Sequence, residues 1–177
     1  MGSVYNSIPT WLAGALQREF GLSTFVESGL GQGTSALWAE RHFDTCISVE
    51  NDLELINKFT NNYPNSNARI ICGDSGVEFA FLIHGIASPA LFWLDGHTDD
   101  YTPIIAELAS INASQLDHIV MVDDLRLFGT LPAWPKLNQV MEIAQDYDKR
   151  TTFEVDDVLI AVPNRFSYKT FEIILKG

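Results

Sequence analysis

Apolar and polar positions alternate in blocks along this chain of 177 residues. Short runs of consecutive apolar residues are separated by longer stretches in which apolar residues recur every three or four positions. The runs predict strands buried on both faces, and the stretches between them predict amphipathic helices. Five strands are predicted in the first two thirds of the chain, over residues 24–27, 46–50, 69–72, 90–94 and 118–122.

The predicted helices lie before and between these strands. The first one has Ser7 as its N-cap, Pro9 near its first turn and Gly21 at its end. The others are predicted over residues 34–41, 53–59, 76–83 and 136–145, with one more beginning at Thr102-Pro103. Strands that alternate with helices predict a mostly parallel sheet covered on both faces.

The last two apolar runs, residues 158–162 and 171–175, predict two further strands. Their connection is too short for a crossover helix, so they should pair antiparallel at a sheet edge. We therefore expect an α/β fold, a Rossmann-like three-layer sandwich with a mostly parallel seven-stranded sheet and a C-terminal antiparallel hairpin. Residues 1–177 form one domain in this prediction, and residues 1–22 form an N-terminal helix whose segment 5–11 is a partial lid.

Composition and charge limit the classes of molecule that the protein is expected to bind. Hydrophobic residues make up 46% of the chain and the formal net charge is -12, which indicates a globular protein whose surface as a whole repels nucleic acid and anionic membranes. The start has no signal-peptide pattern, and Cys46 and Cys72 lie in apolar runs without metal-binding spacing. We expect buried thiols, a cytoplasmic location, a small-molecule partner and no membrane; a homo-oligomer stays open.

Polar residues and glycines follow each of the five predicted parallel strands. In an open α/β sheet, ligands bind beyond the carboxyl ends of the strands, and acids gathered there repel one another unless a ligand compensates them. Taken singly, the glycine turn is explained as a tight connection and each acid as a solvated side chain; the five positions together favour a ligand site. In strand order the candidates are Glu27 with Gly29, Gly31 and Gly33; Glu50; Asp74 with Ser75; Asp95 with His97; and Asp123 with Asp124.

The glycine spacing discriminates between cofactors. A dinucleotide fingerprint would need a third glycine at position 34, which is Thr34. An acid two residues before the glycines, Glu27, suits a cofactor that carries an ammonium and a sulfonium group better than it suits a pyrophosphate. This arrangement resembles the first motif of class I S-adenosylmethionine-dependent methyltransferases, and the likeness extends from about Thr24 to the end of the chain.

The resemblance implies a role for each cofactor residue. The turn of Gly29, Gly31 and Gly33 would lie against the methionine part of S-adenosylmethionine, with Glu27 near its amino group. Glu50 would hold the ribose diol. Asp74 would accept a hydrogen bond from the adenine amino group, with Ser75 beside it, and Asp95 would complete the set.

The second half of the chain resembles a narrower group. Residues 92–97, FWLDGH, and residues 120–124, VMVDD, are similar to macrocin-type small O-methyltransferases. That resemblance implies a divalent metal, magnesium, held by Asp95, Asp123 and Asp124, which would orient two substrate oxygens and lower the pKa of the hydroxyl to be methylated. A structural alternative is that Asp124 caps the following turn and Asp95 contacts only water.

His97 is the candidate general base, with Asp95 beside it as a second catalytic residue; a turn histidine bonded to the backbone is the alternative. Arg126 could neutralise the acidic pair. The predicted function is methyl transfer from S-adenosylmethionine to a hydroxyl of a small molecule or sugar, with or without a metal. Two other functions stay open. A nicotinamide-dependent oxidoreductase is opposed by Thr34 and by the lack of a Tyr-x-x-x-Lys pair, and a non-catalytic cofactor-binding module is consistent with the short chain.

Overall fold

The computed structural model describes residues 7–177; the part of the predicted lid that includes Tyr5 lies outside them. One seven-stranded sheet runs through the centre, in the order β3-β2-β1-β4-β5-β7-β6. The strands are β1 (Thr24–Ser28), β2 (Thr45–Glu50), β3 (Arg69–Cys72), β4 (Ala90–Leu94), β5 (Ile119–Val122), β6 (Arg150–Val155) and β7 (Val158–Pro163).

The first five strands are parallel, and β7 runs antiparallel to both β5 and β6. This confirms the predicted seven-stranded, mostly parallel sheet with an antiparallel hairpin. The order places the carboxyl ends of β2, β1, β4 and β5 side by side, with β1 and β4 at the centre. Because successive strand residues point to opposite faces, Phe25 and Glu27 belong to one side of the sheet and Val26 and Ser28 to the other.

Helices cover both faces of the sheet. One apolar core joins α1, α2, α3 and α7 to the sheet through Leu12, Ala36, Phe59 and Trp93, and the other joins α4, α5 and α6 through Phe79, Leu108 and Val140. The result is the predicted three-layer sandwich. The helices are α1 (Thr10–Phe20), α2 (Thr34–Ala39), α3 (Leu53–Asn62), α4 (Ser75–Leu82), α5 (Ile104–Asn112), α6 (Leu137–Gln145) and α7 (Ser167–Lys176).

The hairpin is built from other segments than those predicted. Strands β6 and β7 form it, whereas residues 171–175, predicted to be a strand, lie in α7. In that helix Ile173 and Ile174 pack against the core while Phe171 and Leu175 face solvent, so the run of apolar residues is two faces of one helix. Strand β6, Arg-Thr-Thr-Phe-Glu-Val, was not predicted because it begins with three polar residues and contains no apolar run.

The N-terminal helix begins differently from the prediction. Pro9 is the N-cap and makes no side-chain cap, while the hydroxyl of Ser7 lies 3.1 Å from that of Ser35. The predicted end is confirmed, since Gly21 closes α1 in the left-handed conformation with φ 62°. Within residues 7–177, no helix combines the length and the apolar character needed to cross a bilayer; the cytoplasmic location stays a prediction.

The two cysteines differ in accessibility. Cys46 lies in the core and burial raises the pKa of its thiol, as expected for a buried thiol. Cys72 is exposed, and the expectation that it would be buried was wrong. Strand β3 is an edge strand with a single neighbour, so no further strand covers the outer side of its last residue.

Candidate active site

A cavity of about 290 Å³ opens at the carboxyl ends of the central strands. It is lined by the segments that follow β1, β2, β3 and β4, as expected for a ligand site in an open α/β sheet. None of residues 7–22 lines it. Of the predicted site residues, those on its wall are Gly29, Gly31, Glu50, Asp74, Ser75, Asp95 and His97.

The glycines of the β1–α2 turn have different structural roles. Gly29 has φ 83°, and a Cβ atom there would lie 2.7 Å from the carbonyl oxygen of Asp95. Gly33 has φ 77°, and a Cβ atom would collide with the ring of Phe59. Gly31 also has positive φ, 51°, but a Cβ atom there would meet nothing within 4 Å. Packing therefore requires the outer two glycines, whereas the middle one leaves open space at the cavity.

Glu50 is held rigidly at the end of β2. One carboxylate oxygen accepts hydrogen bonds from the backbone N–H groups of Asn51 and Asp52, at 2.9 and 3.0 Å. The other accepts one from Gly31, at 3.2 Å. The side chain thus connects the β2 terminus to the glycine turn at the wall of the cavity. A carboxylate fixed in this way is suited to accept hydrogen bonds from a diol.

Glu27 lies behind the cavity wall and is fully buried. Neither carboxylate oxygen has a hydrogen-bond partner among residues 7–177. Burial raises the pKa of Glu27 to about 8; the hydroxyl of Ser48 opposes this rise and the negative charges of Asp95 and Glu50 add to it. With this pKa the carboxyl group is protonated at pH 7, and a positively charged group beside it would favour the ionised form.

Asp74 begins α4 and faces two partners. Its Oδ1 accepts the N–H of Gly76 at 2.9 Å, which caps the helix. Its Oδ2 accepts a hydrogen bond from the hydroxyl of Tyr101 at 2.8 Å. Tyr101, which the sequence analysis missed, lies in the loop after β4 and lines the cavity. Its hydroxyl thus bonds the carboxylate predicted to bind adenine.

Glu107 is a second buried acid that the sequence analysis missed. It projects from α5 and, with His97 and Asp123, lines a narrow cleft beside the main cavity. Burial raises its pKa to about 7, and the nearby hydroxyls of Ser75 and Ser28 oppose the rise. The available signal was a single glutamate in an otherwise apolar helical segment, IIAELASI.

His97 lies between two carboxylates. Its Nε2 atom is 2.9 Å from Oδ2 of Asp124 and 3.5 Å from Oδ1 of Asp95. Burial lowers the pKa of the ring, but the hydrogen bonds to the two acids outweigh burial and raise the pKa to about 9. At pH 7 about one ring in a hundred is therefore neutral. The general-base role stays a prediction, and it requires this minor form.

Arg126 is the second cation of the cluster. Its Nη1 atom lies 2.7 Å from Oδ1 of Asp124 and also contacts Oδ2 of Asp157, whose Oδ1 accepts the backbone N–H of Arg126 at 2.9 Å. The prediction that Arg126 neutralises the acidic pair is confirmed for Asp124. Asp157 was missed because it lies in the β6–β7 turn, which the sequence analysis placed elsewhere.

The predicted magnesium ligands do not form one set. Among the described residues, oxygen and nitrogen ligand atoms come together as Asp95, His97 and Asp124, and separately as Asp123, Asp124 and Asp157. Each oxygen of Asp124 already faces a cation, and one oxygen of Asp123 accepts the N–H of the next residue at 2.8 Å. A magnesium ion held by Asp95, Asp123 and Asp124 together would require these contacts to rearrange, so the three acids as arranged do not fit it.

The cavity does fit the predicted organic cofactor. The glycine turn leaves space at Gly31, Glu50 presents a fixed carboxylate beside it, and Glu27 has no hydrogen-bond partner among the described residues. Asp74 and Ser75 lie on the wall formed after β3. An ammonium group, a diol and an aromatic amine could each find a suitable partner along this edge.

Solved structures share this fold. An O-methyltransferase from Bacillus cereus, in complex with SAH, matches with a TM-score of 0.67 and 13% identity over 91% of this chain and 84% of the other. TomG from Streptomyces achromogenes, an O-methyltransferase of tomaymycin synthesis in complex with SAM, matches with a TM-score of 0.64 and 16% identity over 90% of this chain and 82% of the other. An rRNA methylase from Streptococcus thermophilus matches with a TM-score of 0.56 and 13% identity over 92% of this chain and 99% of the other.

Sequence comparison gives no match, either to a protein-family model or to a curated protein. At these identities the structural likeness establishes the fold alone. The order of the strands, the antiparallel β7 and the helices on both faces agree with those neighbours. The chain has the Rossmann-like fold of class I S-adenosylmethionine-dependent methyltransferases.

Proposed function

We propose that this protein transfers a methyl group from S-adenosylmethionine to a hydroxyl of a small molecule. The observation that carries the proposal is an acid fixed beside an open glycine, with a second, buried acid close enough to interact with the first one. Glu50 is fixed beside Gly31 by three backbone hydrogen bonds, and Glu27 lies buried without a hydrogen-bond partner among the described residues. A ligand with a diol and a positively charged head group satisfies both acids.

Each part of the cofactor has candidate partners in the chain. Glu50 would accept the ribose hydroxyls, Gly31 would allow close approach of the methionine part, and Glu27 would compensate the ammonium charge. Asp74 would accept from the adenine amino group, with Ser75 beside it. When bound, S-adenosylmethionine supplies an electrophilic methyl group, so that the protein needs only to position the acceptor and manage its proton.

His97 is the residue that we propose for that task. Its Nε2 atom is held by Asp124 and Asp95, which leaves Nδ1 for the acceptor, because no residue in the described part of the chain bonds to it. In the neutral ring Nδ1 receives the hydroxyl proton while the acceptor oxygen forms its bond to the methyl carbon and the carbon–sulfur electron pair stays on sulfur. The two carboxylates then stabilise the imidazolium.

The acceptor is proposed to be a small molecule such as a sugar. The formal net charge of -12 disfavours a nucleic-acid acceptor, even though an rRNA methylase shares the fold. The main cavity and the adjoining cleft are small. The aromatic ring of Trp134, 4.6 Å from the ring of His97 between centroids, provides an apolar wall.

Calorimetric titration tests the cofactor. S-adenosylmethionine and S-adenosylhomocysteine should bind with micromolar affinity, and NAD should not bind. Glu50→Ala should weaken adenosyl-ligand binding by about a hundredfold or more, whereas Glu54→Ala, an exposed acid on α3, should leave it unchanged. A cooperative thermal unfolding transition above the titration temperature in each free variant would show that both fold. Tight NAD binding, or no adenosyl binding, would overturn the proposal and favour an oxidoreductase or an inert module.

A panel of hydroxyl compounds tests the transfer. S-adenosylhomocysteine should form from S-adenosylmethionine in the presence of an acceptor, and His97→Ala should slow its formation by about a hundredfold while cofactor affinity is retained. Binding without turnover of any compound would favour a non-catalytic cofactor-binding module instead.

A further inference from the structure

We propose that His97 and Arg126 take the place of a divalent metal on the acceptor side of the cavity, and that methyl transfer requires no metal. Arg126 is in this view a positioning residue that holds Asp124, and through it His97, toward the acceptor. The inference rests on the proposed methyl transfer and specifies how the acceptor oxygen is oriented.

Both oxygens of Asp124 already lie close to a basic side chain. Its Oδ2 is 2.9 Å from Nε2 of His97, and its Oδ1 is 2.7 Å from Nη1 of Arg126. The residue is buried and has a left-handed backbone with φ 57° two positions after the end of β5. A metal ion at this carboxylate would have to displace one of two basic side chains that are already in contact with it.

Arg126 is also held in place by a residue of the β6–β7 hairpin. Asp157, in the β6–β7 turn, contacts its guanidinium and accepts its backbone N–H at 2.9 Å, and the carbonyl of Asp157 accepts the N–H of Leu125 at 3.0 Å. Three contacts from one residue tie the segment after β5 to the hairpin. Movement of the guanidinium away from Asp124 would also break its contact with Asp157.

The ring of His97 is oriented by the side chains around it. It packs edge-on against Trp134, whose indole N–H donates to the carbonyl oxygen of Thr98 at 3.0 Å. Packing and the contacts to Asp95 and Asp124 together fix which ring nitrogen faces the acids. The other nitrogen is then available to the acceptor hydroxyl, which is the orienting task that a metal would otherwise perform.

Manganese binding tests the cluster without any acceptor. Titration of the full chain with Mn²⁺, followed by electron paramagnetic resonance, should show no binding at the cluster with a Kd below about 1 mM. The double variant His97→Gln/Arg126→Gln removes both cations and should bind Mn²⁺ at least about tenfold more tightly, and adding Asp124→Asn should abolish the gain. Micromolar Mn²⁺ binding to the wild type that Asp124→Asn removes would overturn the inference, as would a double variant without any gain.

Turnover provides the second measurement. With an acceptor found in the hydroxyl panel, S-adenosylhomocysteine formation should be the same in excess EDTA and in magnesium; loss in EDTA that magnesium restores would overturn the inference. Arg126→Gln should lower kcat about tenfold or more at unchanged KM for S-adenosylmethionine, and Arg126→Lys should recover part of it. Failure of adenosyl ligands to bind the wild type would defeat the proposed function, while the manganese result would still stand.

Discussion

Glu27 is a carboxylic acid in a part of the protein that water does not reach. Its pKa of about 8 lies above the ordinary value of 4.5 mainly because burial disfavours the charged form. A raised pKa means that the folded state holds a proton that the unfolded state releases. The stability associated with this proton is fully present below pH 4.5 and is lost as the pH rises through 8.

Substitution of Glu27 by glutamine should remove this pH dependence. Between pH 5 and 8.5 the wild type should lose up to about 4 kcal/mol of unfolding free energy through this group, and Glu27→Gln should lose clearly less. Urea denaturation at both pH values measures the difference. Glu54→Gln on the surface of α3 is the control and should follow the wild type; parallel curves for wild type and Glu27→Gln would contradict the assignment.

Individual site residues were predictable where they end a parallel strand. Glu50, Asp74, Asp95 and His97 follow apolar runs, and strand ends converge at one edge whatever the details of packing. Asp157 was unpredictable because it depends on which segments form the hairpin. The same limitation applies to Tyr101 and Glu107, which reach the site from a loop and from one face of a helix.

His118, just before β5, connects the amino-terminal ends of β4 and β5, two strands that lead to the site. Its Nδ1 atom accepts the N–H of Ala90 at 3.1 Å, and its other nitrogen lies 2.9 Å from the hydroxyl of Ser114. Protonation of Nδ1 would break the first bond. Burial, with the charge of Arg150, lowers the pKa to about 4, so stability is present above pH 6.5 and is lost as the pH falls from 6.5 toward 4.

Replacement of His118 by asparagine keeps an acceptor near the position of Nδ1 and removes the titration. Between pH 7 and 4.5 the wild type should lose up to about 3 kcal/mol more than His118→Asn. Chemical denaturation at the two pH values measures it. His84→Asn, at an exposed histidine, should behave as the wild type does. An equal acid sensitivity of His118→Asn and wild type would show that His118 does not control this loss.

The β1–α2 turn gives a matched pair of glycine substitutions. Gly33→Ala should lower the unfolding free energy by about 3 kcal/mol, since it combines positive φ with a collision at Phe59. Gly31→Ala should cost only about 1 kcal/mol, from its backbone conformation alone. Relative to its small loss of stability, Gly31→Ala should nevertheless cause the larger loss of cofactor affinity, because its added methyl group enters the open space of the cavity. Thermal unfolding and calorimetry together measure this, and equal destabilisation of both variants would contradict it.

The alternation of strands and helices was predictable through β5, where apolar runs and helical spacing were distinct. After β5 the prediction misplaced the hairpin because β6 contains no apolar run, and α7 has adjacent apolar residues on two faces. Only the sheet shows which segments pair: β7 has β5 on one side and β6 on the other. The local pattern predicted the right number of strands, but it missed β6 and assigned a strand to part of α7.

The charge of the whole molecule leads to a prediction about nucleic-acid binding. With a formal net charge of -12, the protein should show no binding to a 20-nucleotide RNA below about 100 μM at physiological salt. Fluorescence anisotropy measures this, with a lysozyme-like basic protein as positive control for the probe. Binding at micromolar concentration that weakens with added salt would reveal a local basic surface and reopen a nucleic-acid acceptor.

The unequal exposure of the two cysteines provides one natural site for chemical labelling of the folded protein. Cys46 is enclosed in the core, whereas Cys72 is exposed at the end of β3, directly before Gly73 on the cavity wall. A thiol-reactive fluorophore should therefore label the native chain at a single position, beside the end of the cavity assigned to adenine. The emission of that fluorophore would then follow ligand entry in real time, without an engineered residue.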